Sequence, residues 1–266
     1  MNSLLARVLA GAGLLLLLGG CGSGHAARRS EDSHQTYHAA ALGPEIRVAV
    51  KPSCRTATAV HAGDRSYAVT VRTVAEVRAR PGAGRLIVQF SRRDENNYPV
   101  VLGVLAERAT ATCHATWYRV QLPLLPNGRT GWVAAREVRL FAVRTRIVVD
   151  LSTRRLIAYR DGRAALRAPV AVGASQTPTP VGRYFINERF VLSDPRGPFG
   201  VAALGISAHS EVLHNWVQNG PIALHGTDEP TSIGSAASHG CIRLENSAMQ
   251  RLFALAPAGT PVVIRA

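Results

Sequence analysis

The stretch Ala237-Ser238-His239-Gly240-Cys241-Ile242-Arg243-Leu244, preceded by His225-Gly226-Thr227, is the most informative part of this chain. It brings one cysteine and two histidines into a short span of sequence. A thiol with an unperturbed pKa near about 8.5 is mostly protonated at neutral pH, so a nucleophilic cysteine needs an adjacent base or a positive environment. The stretch therefore predicts thiolate chemistry at Cys241, with a histidine as its base.

Strand periodicity gives one prediction about that base. If residues 238 to 243 form one extended strand, alternate side chains share a face. His239, Cys241 and Arg243 then point to one side, while Ser238 and Gly240 point away. The absence of a Cβ at Gly240 also lets substrate or backbone approach the sulfur. On spacing alone, His239 is the favoured base.

The same residues resemble the L,D-transpeptidase catalytic domain, also called the YkuD domain. That family carries an upstream His-Gly, then Ser/Thr-His-Gly-Cys with Asn or Arg two places on, and this chain has His225-Gly226 followed by residues 238–243. The resemblance covers about residues 144 to 266, including a Thr-Pro-rich turn at residues 177–182. That turn is expected either to form a wall of the cleft or only to connect two strands.

The resemblance implies a role for each residue of the motif. Cys241 is the nucleophile and His225 the general base, while His239 holds substrate or stabilises developing charge. Backbone N–H groups near Gly240 and Cys241 are the expected oxyanion donors. Four residues are assigned to substrate or oxyanion binding: Gly226, Ser238, Gly240 and Arg243. The planar fork of Arg243 suits a substrate carboxylate, although a surface charge is the simpler alternative.

A metal site is the alternative interpretation of the same side chains. His225, His239 and Cys241 are residue types that bind zinc. The His-x-Cys spacing has no matching ligand pair elsewhere, and the family that the chain resembles is metal-independent. We therefore expect no metal and no cofactor.

The reaction that the resemblance implies is cross-linking of peptidoglycan stem peptides. The thiolate attacks the bond between the L-centre of the diamino acid at position three of a stem tetrapeptide and the terminal D-Ala, and an acceptor amine then resolves the thioester. Two alternatives stay open. With water as acceptor the protein is an L,D-carboxypeptidase, and without catalysis it is a wall-binding lipoprotein.

Composition limits the choice of partner. The chain has 266 residues, of which 47% are hydrophobic, and a formal charge of +14. Such a balance suits an anionic partner, but the arginines are scattered and no nucleic-acid-binding motif is present. We therefore expect an anionic wall or membrane surface and no nucleic acid.

The amino-terminal residues predict export. Residues 1–20 carry one cation and a short apolar run, typical of a signal peptide. Leu18-Gly19-Gly20-Cys21 resembles a bacterial lipobox, which implies a lipid anchor on Cys21 at the outer face of the cytoplasmic membrane or in the cell envelope. An ordinary secretory leader with an incidental cysteine is the alternative.

Two of the four cysteines remain to be assigned. Cys54 and Cys113 both fall in the amino-terminal half of a chain expected in a disulfide-permissive compartment. A disulfide between them is predicted, with two free buried thiols as the alternative.

The predicted fold class is mainly β. A lipoprotein signal peptide (1–20) and a flexible tether (21–45) precede a small SH3-like barrel (46–142) and a β-rich catalytic domain (143–266). Trp117 and Trp132 flank an Asn127-Gly128 turn that predicts a hairpin and resembles the end of bacterial SH3-like domains, which serve either to bind the wall or as a spacer. One short helix, from about Asn246 to Leu255, is predicted after the catalytic strand.

Overall fold

A computed structural model describes residues 37–43, 58–59, 65–112, 114–216 and 219–266. These residues form nineteen β-strands and a single α-helix. The predicted mainly β fold, with one short helix directly after the strand that follows Cys241, is confirmed. Cys21, Cys54 and Cys113 lie outside the described residues, as does the leader, so the lipid anchor and the disulfide stay predictions.

The amino-terminal strands are β1 (Tyr37–Ala39), β2 (Thr58–Ala59), β3 (Ser66–Val71), β4 (Val74–Arg78), β5 (Leu86–Ser91), β6 (Val101–Ala109), β7 (Ala115–Gln121), β8 (Thr130–Ala134) and β9 (Val138–Val143). The others are β10 (Thr145–Asp150), β11 (Arg155–Arg160), β12 (Arg163–Pro169), β13 (Val172–Gly173), β14 (Gly182–Leu192), β15 (Ala202–His209), β16 (Pro221–His225), β17 (Ala236–Ser238), β18 (Ile242–Arg243) and β19 (Pro261–Arg265). The helix α1 spans Asn246–Leu255.

The first sheet contains β2 to β9 and is antiparallel throughout. Its order is β5-β4-β8-β7-β6-β3-β9, with β2 paired to β6. The predicted hairpin is present, because β7 and β8 pair around a loop at residues 122–129 in which Gly128 has a φ of 78°. Trp117 and Trp132 are half-buried. Whether this sheet is an SH3-like domain stays a prediction.

The second sheet has the order β12-β11-β10-β19-β14-β15-β16-β18, with β1 paired to β14. Two of its pairings are parallel, β10 with β19 and β16 with β18. Alternate residues of β10 and β19, such as Ile147, Val149, Val262 and Ile264, enter one hydrophobic core. A short parallel pair, β13 with β17, lies beside the main sheet.

Helix α1 covers the core of the second sheet. Two residues separate it from β18, so its position follows directly from that of the Cys241 segment. Met249 and Leu252 are fully buried, and burial of each apolar side chain contributes about 1.5–3 kcal/mol. Pro257 and Gly259 follow its end, as the sequence predicts. Within the described residues, no helix has the length and apolar content to cross a membrane.

The two sheets pack directly against each other. Phe185 on β14 belongs to the hydrophobic core of the first sheet, and the absence of a Cβ at Gly103 leaves room for its ring. Asn127 clamps the end of β15: its Nδ2 donates to the His209 carbonyl at 2.8 Å, and its Oδ1 accepts from the His209 N–H at 2.9 Å. The predicted hairpin loop therefore holds one end of a strand of the second sheet.

The predicted tether differs from the structure at its carboxyl end. Residues 37–43 were assigned to it, yet β1 pairs with β14 from Tyr37 opposite Leu192 to Ala39 opposite Phe190. Strand β19 pairs only with the first part of β14. The edge of β14 beyond β19 leaves backbone groups that need partners, and β1 supplies them.

Candidate active site

The end of the second sheet brings the motif residues together. Strand β16 ends at His225, and its parallel partner β18 places Arg243 opposite that histidine. Cys241 directly precedes β18. The Leu244 N–H donates to the His225 carbonyl at 2.9 Å, and Arg243 exchanges two backbone hydrogen bonds with Ala171. The segment on either side of the cysteine is thus fixed by backbone pairing.

The predicted continuous strand over residues 238–243 is wrong. Strand β17 ends at Ser238, and His239 and Gly240 form a bend before β18 begins at Ile242. Gly240 has a φ of 115°, a conformation that L side chains rarely adopt. His239 and Cys241 therefore do not share a strand face, and His239 is exposed whereas Cys241 is half-buried.

Ser238 holds this bend closed. Its Oγ donates to the Cys241 carbonyl at 2.5 Å and accepts from the Gly240 N–H at 3.1 Å. The Gly240 N–H, one of the predicted oxyanion donors, is thereby already engaged by a side chain. The buried Ser238 side chain contacts backbone on both sides of the bend.

The Thr-Pro turn supports the bend by hydrogen bonds to its backbone. Thr177 Oγ1 donates to the Ser238 carbonyl at 3.0 Å, and Thr179 Oγ1 donates to the Gly240 carbonyl at 2.8 Å. Neither threonine lines the cavity that contains Cys241. From the sequence, this turn was expected either to line the cleft or only to connect strands. Its hydrogen bonds to the backbone of the bend are a third role, which was not predicted.

His225 is a buried, neutral imidazole. Its Nδ1 lies 2.6 Å from the Gly226 carbonyl, and because a carbonyl only accepts, Nδ1 must carry the proton. Burial lowers the pKa of His225 to about 4, and the Arg243 charge acts in the same direction, while the Gly226 hydrogen bond opposes it. The Phe199 ring meets the imidazole edge-on at 5.0 Å between centroids. Nε2 is left as the proton acceptor.

Cys241 is a free thiol. Burial raises its pKa above the ordinary value, and a hydrogen bond with the Ala223 backbone and the charge of Arg243 oppose that shift. Because the pKa of the thiol is raised and that of His225 is lowered, both groups are neutral at rest near pH 7.

Arg243 is held by a carboxylate. Its Nη1 donates to Glu229 Oε2 at 2.7 Å, while its side chain is 18% exposed. Its Nε is buried and has no hydrogen-bond partner among the described residues. The guanidinium is therefore anchored at one end and has an unused donor at the other.

One cavity of about 150 Å³ is lined by five of the seven predicted catalytic and binding residues, and Gly226 and Gly240 are not among its lining residues. His225, Cys241, His239, Ser238 and Arg243 line it. The half-exposed rings of Phe199 and Trp216 form its rim. Neither residue was predicted from the sequence to be part of the site. The Trp216 ring lies 5.4 Å from that of His239.

Gly226 has a packing role that the sequence did not reveal. A Cβ at this position would lie 2.0 Å from Asn246 Oδ1. That same oxygen accepts from the Thr227 N–H at 3.1 Å. Asn246, at the start of α1, thus holds the loop after His225. In the sequence, the only sign of this role is that Asn246 lies shortly after Cys241.

No set of three or more His, Cys, Asp or Glu residues in the described ranges is arranged to hold a metal ion. His225, His239 and Cys241 line one cavity. His225 Nδ1 is already used in a hydrogen bond to the Gly226 carbonyl, and His239 is exposed, so the three side chains do not form a ligand set.

Comparison with known proteins matches the second sheet and its site to one family. The family model for the YkuD L,D-transpeptidase catalytic domain matches residues 144–264. The putative L,D-transpeptidase YkuD of Bacillus licheniformis is 38% identical over 119 residues, which is 45% of this chain and 64% of that protein. The Bacillus subtilis protein of the same name is 33% identical over 145 residues, which is 52% of this chain and 80% of that protein.

Solved structures with local similarity carry related names. L,D-transpeptidase 3 from Mycobacterium tuberculosis covers 63% of this chain and 92% of its own, with 16% identity and a TM-score of 0.41. The catalytic domain of the Enterococcus faecium L,D-transpeptidase covers 46% of this chain and 96% of its own, with 26% identity and a TM-score of 0.33. By its matches to the family model and to most of the B. subtilis protein, the chain belongs to the YkuD family of L,D-transpeptidase catalytic domains.

Proposed function

We propose that this protein is a peptidoglycan L,D-transpeptidase that forms cross-links through a thioester on Cys241. The observation that carries the proposal is the cavity in which Cys241, His225 and Arg243 meet, with the imidazole held by the Gly226 carbonyl so that Nε2 accepts a proton. Membership of the YkuD family supports it. The acceptor is an amine of a second stem peptide.

In acylation the Cys241 proton passes to His225 Nε2 as the sulfur attacks the carbonyl carbon between the position-three diamino acid and D-Ala. The electron pair of that carbonyl moves to its oxygen. Collapse of this intermediate breaks the C–N bond, and the proton on Nε2 passes to the leaving D-Ala amine. The acyl group remains on sulfur as a thioester.

Deacylation by the acceptor uses the same groups in the reverse order. The acceptor amine attacks the thioester carbonyl, its proton passes to His225 Nε2, and the departing thiolate takes that proton back. We assign the oxyanion to the Cys241 N–H, since the Gly240 N–H already donates to Ser238 Oγ. A donor of this kind lowers a barrier by about 3–4 kcal/mol.

His239 and Arg243 act on substrate in this proposal. His239 is exposed beside Trp216, which suits a group that holds substrate at the rim of the cavity. Arg243 has one end fixed by Glu229 and a buried Nε without a partner, which suits a substrate carboxylate. Neither group is needed to move the thiol proton.

The cellular setting follows the sequence. We propose that the chain is exported, anchored by a lipid on Cys21 and held at the envelope, where it meets stem peptides. The first sheet then serves as an SH3-like domain for wall binding or spacing. Its contacts to His209 through Asn127 support a fixed position relative to the second sheet.

Intact-mass analysis with a stem tetrapeptide tests the reaction. Wild-type protein should gain the mass of the acyl tripeptide and release D-Ala, and an added amine acceptor should discharge it into a cross-linked product. Cys241→Ala should show neither, while unfolding at the wild-type temperature. Discharge to free tripeptide despite excess acceptor identifies the carboxypeptidase, and absence of any adduct on folded wild-type protein identifies the inactive wall-binding alternative.

The choice of base has its own test. Single-turnover acylation of Cys241 should fall by several orders of magnitude in His225→Gln, because both thiol deprotonation and leaving-group protonation use that ring. In His239→Gln the loss should be smaller, of the order expected for one electrostatic contact, about 100-fold. A larger loss in His239→Gln, with the wild-type pH profile kept by His225→Gln, reverses the assignment.

A further inference from the structure

A second cavity, of about 290 Å³, lies where the two sheets meet. None of the residues that line it lines the cavity around Cys241. It spans β11, β10, β19 and β14, at the other end of the sheet order from β16 and β18. Any ligand that it takes can therefore be present together with a substrate on Cys241.

Strand register places two arginines on the floor of this cavity. Arg146 pairs with Tyr159, Val148 pairs with Val263, and Val263 pairs with Arg183. Directly paired residues point to the same face of a sheet, and so do residues two apart. This is the face opposite the buried core of Ile147 and Val262, so both guanidinium groups stand on the side that meets the first sheet.

Two more arginines approach from the edge. Ser66 pairs with Val143, which brings the neighbouring Arg65 and Arg144 to the same corner. Arg144 forms an ion pair with Asp161. Arg65, Arg146 and Arg183 are exposed, and none of the three has an ion-pair partner among the described residues. The described residues that line the cavity include no Asp or Glu.

The other walls are suited to a small ligand. Tyr67, Gly103 and Gln121 of the first sheet face the arginines, together with apolar groups such as Phe185. The Arg146 guanidinium already lies over the Tyr159 ring at 4.5 Å from the centroid, which restrains its plane. A restrained guanidinium loses less entropy when it binds an oxyanion through parallel N–H donors.

We propose that this cavity, which we name the arginine cavity, is a binding site for a phosphate group. Three unpaired guanidinium charges in one concavity are matched better by a phosphate, with its additional oxygens and charge, than by a single carboxylate. The group belongs either to a soluble phosphate monoester or to a phosphodiester of an anionic polymer. This inference rests on the cavity itself and is independent of chemistry at Cys241.

Calorimetric titration of the full-length protein at constant ionic strength tests the proposal. The probes are inorganic phosphate, glycerol 1-phosphate, glycerophosphoglycerol and acetate. We expect saturable one-site binding of at least one phosphate probe, and weaker binding of acetate. Tighter binding of glycerol 1-phosphate identifies a monoester source, and tighter binding of glycerophosphoglycerol identifies a diester source.

Charge-matched variants locate the site. Arg146→Gln and Arg183→Gln should each weaken phosphate binding by about tenfold, the size of one lost charge-assisted contact. Arg65→Gln, on the other wall, supplies an independent variant if either of these unfolds. Arg167→Gln, an exposed arginine of β12 outside the arginine cavity, and Arg243→Gln, in the cavity around Cys241, should keep wild-type affinity.

Three results overturn the proposal. The first is the absence of saturation by any phosphate probe, and the second is acetate binding as tight as phosphate binding. The third is a loss in Arg167→Gln or Arg243→Gln equal to that in the variants of the arginine cavity. Thermal unfolding of each variant, compared with wild type, ensures that lost binding is not lost folding.

Discussion

Acidification should destabilise this protein through His225, by an amount that the burial of that ring sets. The folded-state pKa of His225 is about 4, whereas an unfolded histidine titrates near about 6.5. Between these values the unfolded chain binds a proton that the folded protein does not. Stability from this group is therefore complete above pH 6.5 and is lost as the pH falls towards 4.

The size of the loss follows from those two pKa values. Each pH unit below 6.5 costs about 1.4 kcal/mol until the folded-state pKa is reached. Lowering the pH from 7 to 5 should therefore remove about 2 kcal/mol of unfolding free energy through His225 alone. Glu188 acts in the opposite direction, since burial and Asp94 raise its pKa to about 7, and protonation then stabilises the folded state. Only a comparison of variants isolates His225.

Urea denaturation of wild type, His225→Gln and His239→Gln at pH 7 and pH 5 measures the effect. The loss on acidification should be about 2 kcal/mol smaller in His225→Gln than in wild type. His239→Gln is the matched control, because this histidine is exposed, and it should keep the wild-type loss. Equal losses in wild type and His225→Gln would show that the imidazole titrates normally and would refute the argument from burial.

One alkylation measurement and two substitutions probe the same site. Iodoacetamide should alkylate Cys241 with a rate midpoint above the pKa of a free cysteine, because burial raises its pKa; a rate already maximal at pH 7 would instead indicate a resting ion pair. Asn246→Ala removes the acceptor of the Thr227 N–H and should cost about 1–3 kcal/mol in urea denaturation, whereas equal stability would leave Asn246 without a positioning role. Gly240→Ala introduces a Cβ at 2.9 Å from a neighbouring side chain and should slow acylation far more than Gly234→Ala, which has positive φ but open space around it; similar effects would assign the cost to backbone strain alone.

The sequence predicted regular elements well and the irregular one poorly. The pattern of apolar residues placed the helix at Asn246–Leu255, where α1 lies, because helical spacing is a local property. The choice of His239 as base assumed one extended strand over residues 238–243, but Ser238 bonds to both sides of Gly240 and the glycine takes a positive φ. Local side-chain bonds to the backbone compete with extended structure, and a periodicity argument does not include them.

Long-range partners were also beyond the sequence. Glu229 precedes Arg243 by 14 residues, and Asn246 follows Thr227 by 19. Neither spacing is a helix or strand repeat, so pattern alone does not pair them. The family resemblance identified five of the residues that line the cavity, whereas the contacts that orient them depend on how β16, β18 and α1 meet.

The surroundings of Cys241 and His225 oppose formation of a resting ion pair. Burial raises the pKa of the thiol and lowers that of the imidazole, so each shift disfavours the charged form. Arg243 does not resolve the conflict, because its charge favours the thiolate but disfavours the imidazolium. Its pairing with Glu229 moderates both effects together. Proton transfer from Cys241 is therefore unfavourable until the negative charge moves from sulfur onto the substrate oxygen, where in our proposal the Cys241 N–H stabilises it. In the proposed reaction the thiol stays protonated and weakly reactive without substrate, and attack on the carbonyl supplies the driving force for its deprotonation.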